Sequence, residues 1–238
     1  IRDDAKRLEM TRKAESEEWS YETTEARVRY LVGKEREEDA QASRLPLVSL
    51  GAFYTFRIMS EVNIHSKQEE LLLDLGFSRQ LEMWRFPGQH FPAGTLVTSQ
   101  GDGKQWFRLA KAPLQAPPGP QADSLLYTYK AYVLKVIDGD SLKLDVRPGL
   151  GERFKEKFRL KWINCPELGT PEGEAAKRFV QSELARAEYV TIKSTASGNR
   201  EKFGRYLVDV FYEKKHSTAP LYLNQLLLDK GYAVRVRD

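Results

Sequence analysis

The chain has 238 residues, of which 41% are hydrophobic and 30% charged, and its formal net charge is +4 at neutral pH. This length accommodates one large or two small domains with a buried core, and the composition is typical of a soluble globular protein. No apolar run approaches the roughly 20 residues that span a bilayer, and the single cysteine, Cys165, excludes an intramolecular disulfide. The chain begins at Ile1, which predicts a processed or trimmed protein and leaves a removed signal peptide open.

The charge is unevenly distributed along the chain. Residues 1–125 carry 17 Lys and Arg against 19 Asp and Glu, whereas residues 126–238 carry 21 against 15, a net charge of +6. A basic half favours a polyanionic partner such as nucleic acid, although a charge of this size is also typical of ordinary solubility.

The first half of the chain predicts a separate small α+β domain over residues 1–111. Its first forty residues alternate opposite charges, which favours helices with a solvated face. The sequence Ser66-Lys67-Gln68-Glu69, followed by four leucines and Gly76, predicts a capped helix. Strands are predicted within residues 45–59, 79–87 and 94–110, with a hairpin turn at residues 101–103.

The second half predicts a different architecture. Residues 112–125 contain four prolines and predict an extended linker. Residues 126–238 then show five short strands, with a helix that begins at Thr170-Pro171-Glu172 between the third and the fourth. This order predicts a small Greek-key barrel of the OB-like type with flanking helices. The predicted fold class of the whole chain is therefore α+β.

Two segments of the predicted barrel concentrate oxygen-bearing side chains. The segment Val136-Ile137-Asp138-Gly139-Asp140-Ser141 predicts a strand, a tight Asp-Gly turn and a second strand, and residues 158–167 predict another strand that Pro166 ends. An antiparallel meander of this shape places four such side chains at one end of the sheet: Asp138, Asp140, Asn164 and Glu167. Hard oxygen ligands beside an arginine suit a divalent cation and a phosphate. Taken singly, each residue is more typical of a turn, a surface ion pair or an exposed acid.

Three blocks of this half resemble the signature blocks of the staphylococcal nuclease (thermonuclease) family. They are Val136-Ile137-Asp138-Gly139-Asp140-Ser141, Phe158-Arg159-Leu160 with Asn164-Cys165-Pro166-Glu167, and Lys202-Phe203-Gly204-Arg205. The blocks occur in the order of the family and at comparable spacing. The resemblance covers about residues 128–236 and leaves the first domain unassigned.

The resemblance implies a calcium-dependent endonuclease that hydrolyses the phosphodiester bonds of DNA, with RNA as a further substrate left open. Asp140 would ligate Ca²⁺ directly, and Asn164 would take the position of a second ligand. Cys165 would contribute its backbone carbonyl, and Asp138 would lie in the outer shell of the metal. The family usually has Asp where Asn164 stands and Thr where Cys165 stands, so one formal negative charge is lost from the site.

The resemblance also implies the residues that act on the substrate. Glu167 would orient or deprotonate the attacking water, and Arg159 and Arg205 would bind the phosphate and stabilise the charge that builds on its oxygens. Lys202 and Phe203 would contact the substrate, with Phe203 in place of the usual Tyr. The alternative is a non-catalytic nuclease-like barrel that binds nucleic acid or protein. No membrane association is expected, and residues 1–111 are open as a site for substrate or a protein partner.

Overall fold

The computed structural model of the protein describes residues 44–100, 108–112, 125–195, 200–201, 204–214 and 219–236. The chain divides into two compact units, residues 1–45 and 46–238. The helices predicted for the first forty residues lie outside the described part of the chain, as does most of the predicted linker, residues 113–124. All elements named below belong to the second unit.

The first part of this unit is an antiparallel five-stranded sheet, called here the small sheet. Its strands lie in the order β3-β2-β1-β4-β5. Apolar side chains from β1, β2, β4 and β5 form its core, among them Phe56, Ile58, Leu73, Val97 and Leu109. The strands are β1 (Thr55–Val62), β2 (Glu69–Gly76), β3 (Arg79–Glu82), β4 (Leu96–Gln100) and β5 (Arg108–Lys111), and a 3-10 turn, Met83–Arg85, follows β3.

The predicted capped helix after Ser66 is wrong, because these residues form strand β2. β2 pairs with β1 on one side and β3 on the other, so Leu73 and Leu75 are buried in the sheet. A short run of leucines fits a buried strand as well as a helix, and pairing on both sides decides between them. Ser66 instead closes the β1–β2 turn, where its backbone N–H donates to the side chain of Asn63.

The second part of the unit is a closed five-stranded mixed barrel. This confirms the prediction of a small barrel in the second half of the chain, and the barrel is consistent with the OB-like type. The barrel strands are β6 (Thr128–Val136), β7 (Ser141–Gly149), β8 (Glu152–Leu160), β10 (Val190–Lys193) and β11 (Tyr206–Tyr212). They run in the order β10-β6-β7-β8-β11, and β10 pairs with β11 to close the circle. The β8–β11 pair is parallel and the others are antiparallel.

Short strands and two helices complete the barrel. They are β9 (Ile163–Asn164), α1 (Pro171–Leu184), β12 (Leu221–Tyr222), α2 (Leu223–Asp229) and β13 (Val234–Arg235). The predicted start of α1 is confirmed, because the Thr170 hydroxyl accepts from the Gly173 N–H and Pro171 occupies the first turn. The buried residues of α1 face the barrel side at three- and four-residue intervals: Gly173, Ala176, Val180 and Leu184.

The β2–β3 turn of the small sheet inserts Phe77 against the barrel. Its ring lies 5.0 Å from the rings of Tyr129 and Tyr206 and 5.6 Å from that of Phe158. The Phe77 carbonyl also accepts a hydrogen bond from the Tyr206 hydroxyl at 2.8 Å. Gly76 permits this approach, because a Cβ on it would lie 2.1 Å from the Tyr129 hydroxyl. The small sheet and the barrel therefore pack through one aromatic cluster.

Neither described helix combines the length and the apolar character that a membrane crossing requires.

Candidate active site

The site is built around the turn between β6 and β7, residues 137–140. The Ile137 N–H donates to the Ser141 carbonyl at 2.9 Å and closes this turn. Gly139 is required by close packing and not by its backbone angles, because a Cβ there would meet Ala176 of α1 and the Cys165 side chain at 2.8 Å. The turn is thereby pressed against the segment that follows β9, and Asp140 reaches that segment.

Asp140 is the centre of a buried hydrogen-bond network. Its side chain is 5% exposed, and its Oδ1 accepts from the Ser141 hydroxyl and from Arg159 Nη1, each at 3.0 Å. Its Oδ2 accepts from the Cys165 backbone N–H at 2.8 Å. Burial raises the pKa of the Asp140 carboxyl, and the Cys165 N–H and Arg159 oppose that rise. The carboxylate is thus held in place by donors from three different segments.

Arg159 links this carboxylate to the predicted second metal ligand. While Nη1 donates to Asp140, Nη2 donates to the Asn164 side-chain oxygen at 2.5 Å. Arg159 lies near the end of β8 and Asn164 on β9, so the tight connection between these strands brings the two side chains together. One guanidinium therefore bridges two of the oxygens that the family resemblance assigns to the metal.

Arg205 approaches the same network from the other side. Its Nη1 donates to the Ser141 hydroxyl at 2.8 Å, and that hydroxyl donates to Asp140. Its Nε donates to Glu201 at 3.0 Å, which fixes the guanidinium from behind. The side chains of Arg159 and Arg205 are 20% and 22% exposed, so both remain accessible to a ligand. The two guanidinium groups converge on one Asp140–Ser141 pair.

The remaining predicted residues lie at different distances from this network. The Asp138 carboxylate accepts from the Asp140 N–H at 3.0 Å and so belongs to the same turn. Glu167 is exposed, its carbonyl accepts from the Thr170 hydroxyl at 2.8 Å, and within the described residues its carboxylate has no hydrogen-bond or ion-pair partner. Lys202 and Phe203 lie outside the described residues.

Two residues of the network were not anticipated from the sequence. Ser141 joins the two arginines through its hydroxyl, and Glu201 orients Arg205. Ser141 stood inside a recognised block without an assigned role. Glu201 lies four residues before Arg205, a spacing at which an acid and an arginine can meet. That spacing is the sequence signal that indicates a contact between Glu201 and Arg205.

The Cys165 side chain has a packing role. Burial, reinforced by the negative charges of Asp140 and Asp138, raises the pKa of the Cys165 thiol to about 12. The thiol therefore stays protonated at neutral pH, and a protonated thiol is a poor ligand for a hard cation. Only the backbone carbonyl of Cys165 remains as a candidate donor.

The oxygen donors of this network are of the type that Ca²⁺ takes: a carboxylate, an amide oxygen and backbone carbonyls. The side chains of Asp140 and Asn164 lie close enough for one guanidinium to bridge them. Across the described part of the chain, no three His, Cys, Asp or Glu side chains are grouped to hold a metal. The site therefore offers donors of the type that suits Ca²⁺, but only one buried carboxylate among them.

A separate surface groove of about 510 Å³ lies in the small sheet, lined by residues that include Glu61, Ile64, Glu70 and Arg85. None of the residues of the Asp140 network lines it. The groove is therefore not part of the candidate site.

No protein-family model matches this sequence, and no curated protein matches it either.

Proposed function

We propose that the barrel is a calcium-dependent endonuclease that hydrolyses phosphodiester bonds of DNA, with RNA as the alternative substrate. The observation that carries this proposal is the convergence of Arg159 and Arg205 on the buried Asp140–Ser141 pair. A buried carboxylate destabilises a fold unless it is paired. Here the pairing brings together arginines from two distant segments, because Arg159 bonds Asp140 directly and Arg205 bonds it through the Ser141 hydroxyl, and charged groups gathered in this way are candidates for a functional site.

Arg159 and Arg205 bind the phosphate in this proposal. A phosphodiester resists hydroxide because both are anionic, and a guanidinium presents a planar fork of donors that matches two phosphate oxygens. The Glu201 and Ser141 contacts hold the Arg205 fork in a fixed direction. A fixed donor stabilises the charge that grows on the phosphate oxygens without having to reorganise during the reaction. With Asp140 and Asn164 on the cation, Arg159 is released from both, and its fork is available to the phosphate.

Glu167 is the general base that takes a proton from the attacking water. Its carboxylate is exposed and has no partner within the described part of the chain, so it is free to accept this proton. Its backbone is anchored at the start of α1 through the Thr170 hydroxyl, which limits how far the carboxylate can move.

Asp140, Asn164 and the Cys165 carbonyl would hold Ca²⁺, with Asp138 in the outer shell. When bound, the cation supplies positive charge that lowers the pKa of a nearby water and neutralises phosphate oxygens. Because Asn164 replaces an acid, the binding of Ca²⁺ is expected to be weaker than in a site with two carboxylates.

The proposal is tested by incubating supercoiled plasmid with purified protein in Ca²⁺ and in chelator. The wild type is expected to nick and linearise the plasmid in Ca²⁺ and to leave it intact in chelator. Arg159→Ala and Arg205→Ala are each expected to slow cleavage by about 10²–10³-fold, the typical effect of removing one transition-state donor. Glu167→Gln is expected to slow it by about 10²–10⁴-fold, the typical contribution of a general base. The matched control is Arg186→Ala, because Arg186 is exposed beyond the end of α1 and outside the network.

Two results of this assay would contradict the proposal. Equal cleavage in chelator would remove the cation from the mechanism. Equal rates for Arg205→Ala and Arg186→Ala would remove the phosphate-binding role of Arg205.

The second candidate is a non-catalytic nuclease-like barrel that binds nucleic acid or protein. It is favoured by one observation, the Asn164 amide at the position of an acidic ligand, where Arg159 already satisfies its oxygen. This candidate predicts that the wild type binds an oligonucleotide but leaves plasmid intact at every Ca²⁺ concentration. Residues 1–111 remain a proposed contact for substrate or for a protein partner.

A further inference from the structure

The outer face of strand β8 is a line of cations that ends at the candidate site. Along β8 the side chains alternate strictly, with Phe154 and Phe158 buried and the odd-numbered residues between them exposed. The odd-numbered side chains are all basic: Arg153, Lys155, Lys157 and Arg159. The last of these is the arginine that binds Asp140. The basic line and the site therefore share one face of the barrel.

One row across this face is made only of lysines. Lys143 of β7 lies directly opposite Lys135 of β6 on one side and Lys157 of β8 on the other. All three are exposed, and none has an ion-pair or hydrogen-bond partner in the described ranges. We call these three residues the lysine row. Like charges directly opposite each other on neighbouring strands destabilise a sheet, so such a row needs a reason.

The neighbouring row shows how the same face compensates charge elsewhere. Asp145 of β7 lies opposite Lys155 of β8. The Asp145 carboxylate also accepts from Arg153 at 2.6 Å and from Arg147 at 3.2 Å. An acid at the position of Lys143 would have compensated the lysine row in the same way. The lysine row therefore presents charge that no residue in the described part of the chain neutralises.

The lysine row is continuous with the site on its other side. The next row on this side pairs Ser141 of β7 with Arg159 of β8. It lies two residues further along these strands, or about 6.8 Å at 3.4 Å per residue. Arg205, which donates to Ser141, directly precedes Tyr206, the partner of Phe158 in the parallel β8–β11 pair. Cations therefore extend over four neighbouring segments, and on the described strands β7 and β8 only Leu142 and Phe158 separate the lysine row from the Ser141–Arg159 row.

We propose that the lysine row binds the phosphate backbone of a nucleic-acid strand and guides it to Arg159 and Arg205. The partner that fits the lysine row is a phosphate polymer, because lysine ammonium groups on flexible side chains contact phosphates without recognising bases. The lysine row crosses three strands and meets the basic line of β8 at Lys157, so the cations form a continuous path to Arg159, which suits an extended polyanion. The binding of a neighbouring phosphate of the same strand by Arg159 and Arg205 rests on the proposed function. The binding of the strand to the lysine row does not rest on it.

The test is binding of a fluorescein-labelled single-stranded oligonucleotide of about 12 nucleotides, measured by fluorescence anisotropy in chelator so that cleavage cannot interfere. The row variant carries Lys135→Gln, Lys143→Gln and Lys157→Gln. The matched control carries Lys67→Gln, Lys111→Gln and Lys230→Gln, which removes the same charge from exposed lysines elsewhere in the described structure. A second variant with arginine at the three row positions keeps the charge.

The row variant is expected to bind about tenfold more weakly than the control at about 100 mM salt, and its slope of log affinity against log salt is expected to fall by about two. The arginine variant is expected to bind like the wild type. The row variant is expected to melt no lower than the wild type, because it loses only mutual repulsion. Equal affinity and equal slope for the row variant and the control would overturn the proposal.

Two further measurements separate this proposal from others. If the row variant loses binding to phosphatidylserine vesicles while its oligonucleotide affinity is unchanged, the row is a membrane contact and the proposal is overturned. Cleavage of plasmid by the wild type is measured independently. If the wild type binds the oligonucleotide through the lysine row but does not cut plasmid, the proposed function alone is contradicted. If the wild type cuts plasmid and the row variant binds like the control, the role of the lysine row alone is contradicted.

Discussion

The small sheet and the barrel differ in what they bury. The small sheet buries an apolar cluster that includes Phe56 and Ile58, and two polar side chains, Thr55 and Asp74. The barrel also buries an apolar core, together with a larger number of polar and charged side chains, among them Asp140, Ser141, Asp145, Lys193, Asp209 and Asn224. Burying a charge costs stability unless it is paired, so each of these residues requires a specific explanation.

The explanations fall into two kinds. Asn224 is structural, because its side chain accepts from the Val210 N–H at 3.1 Å and donates to the Lys161 and Val208 carbonyls, which supports the end of β11. Asp140 differs from it, because two of its donors are the side chains of Arg159 and Ser141, and Ser141 in turn binds Arg205. Asn224 therefore supports the architecture. The Asp140–Ser141 pair differs also from Asp145, because it joins arginines from two distant segments, β8 and the residue before β11, whereas both arginines at Asp145 belong to the β7–β8 hairpin itself.

The largest effect is expected where the two regions meet. Phe77→Ala removes the ring that packs against Tyr129, Phe158 and Tyr206, and the free energy of unfolding is expected to fall by about 3–5 kcal/mol. Urea denaturation followed by tryptophan fluorescence measures this loss. The control is Phe53→Ala, a half-buried phenylalanine of the same chain, which is expected to cost less.

The same variant also sharpens the comparison. Phe158 precedes Arg159, and Tyr206 follows Arg205, so the ring supports both segments that carry the arginines. If the small sheet is an independent module, Phe77→Ala will unfold in two separate steps and leave the barrel transition unchanged. A single transition at lower urea is the expected result.

A smaller effect is expected at Asp145, the other buried carboxylate of the barrel meander. Its hydrogen bond from Arg153 lowers the pKa of the Asp145 carboxyl, with burial opposing and Arg147 adding to the effect. A lowered folded-state pKa means that Asp145 stabilises the fold above the unfolded-state value of about 3.9 and that this contribution is lost as the pH falls through the lower folded value. Asp145→Asn is therefore expected to lower the melting temperature at pH 7, and its difference from the wild type is expected to shrink as the pH falls below the unfolded-state value.

Thermal melts from pH 2 to pH 7 follow this difference, with Glu188→Gln as an exposed-acid control on the same barrel. Oligonucleotide cleavage by Asp145→Asn is expected to stay at the wild-type rate. A constant difference in melting temperature at all pH values would contradict the electrostatic role of Asp145.

Much of the barrel was predictable because its signals are local. The Thr170-Pro171 start of α1 depends on a cap and a fixed backbone angle within four residues, and the β6–β7–β8 meander depends on alternation and short turns. The grouping of Asp138, Asp140 and Asn164 followed from that meander. What could not be predicted depends on contacts distant in sequence. The leucines of β2 predict a helix, but the pairing of this segment with β1 and β3 makes it a strand.

The hydrogen bonds between distant segments of the site could not be predicted from the sequence for the same reason. The Arg205–Ser141 hydrogen bond joins residues 64 positions apart, and no pattern within either segment indicates it. The position of Phe77 against the barrel likewise depends on a turn in which Phe77 and Ser78 both have positive φ, at 53° and 55°. Such angles are uncommon outside glycine and are maintained by surrounding contacts, which a single sequence does not reveal.

The central claim is that Arg159 and Arg205 together hold a phosphate at the mouth of the barrel. A crystal structure with Ca²⁺ and a nucleoside 3′,5′-bisphosphate tests it most directly. The account predicts a phosphate bound by both guanidinium groups and a cation bonded to Asp140. A nucleotide bound elsewhere, with Arg205 still on Ser141 and Arg159 still bridging Asp140 and Asn164, would contradict it.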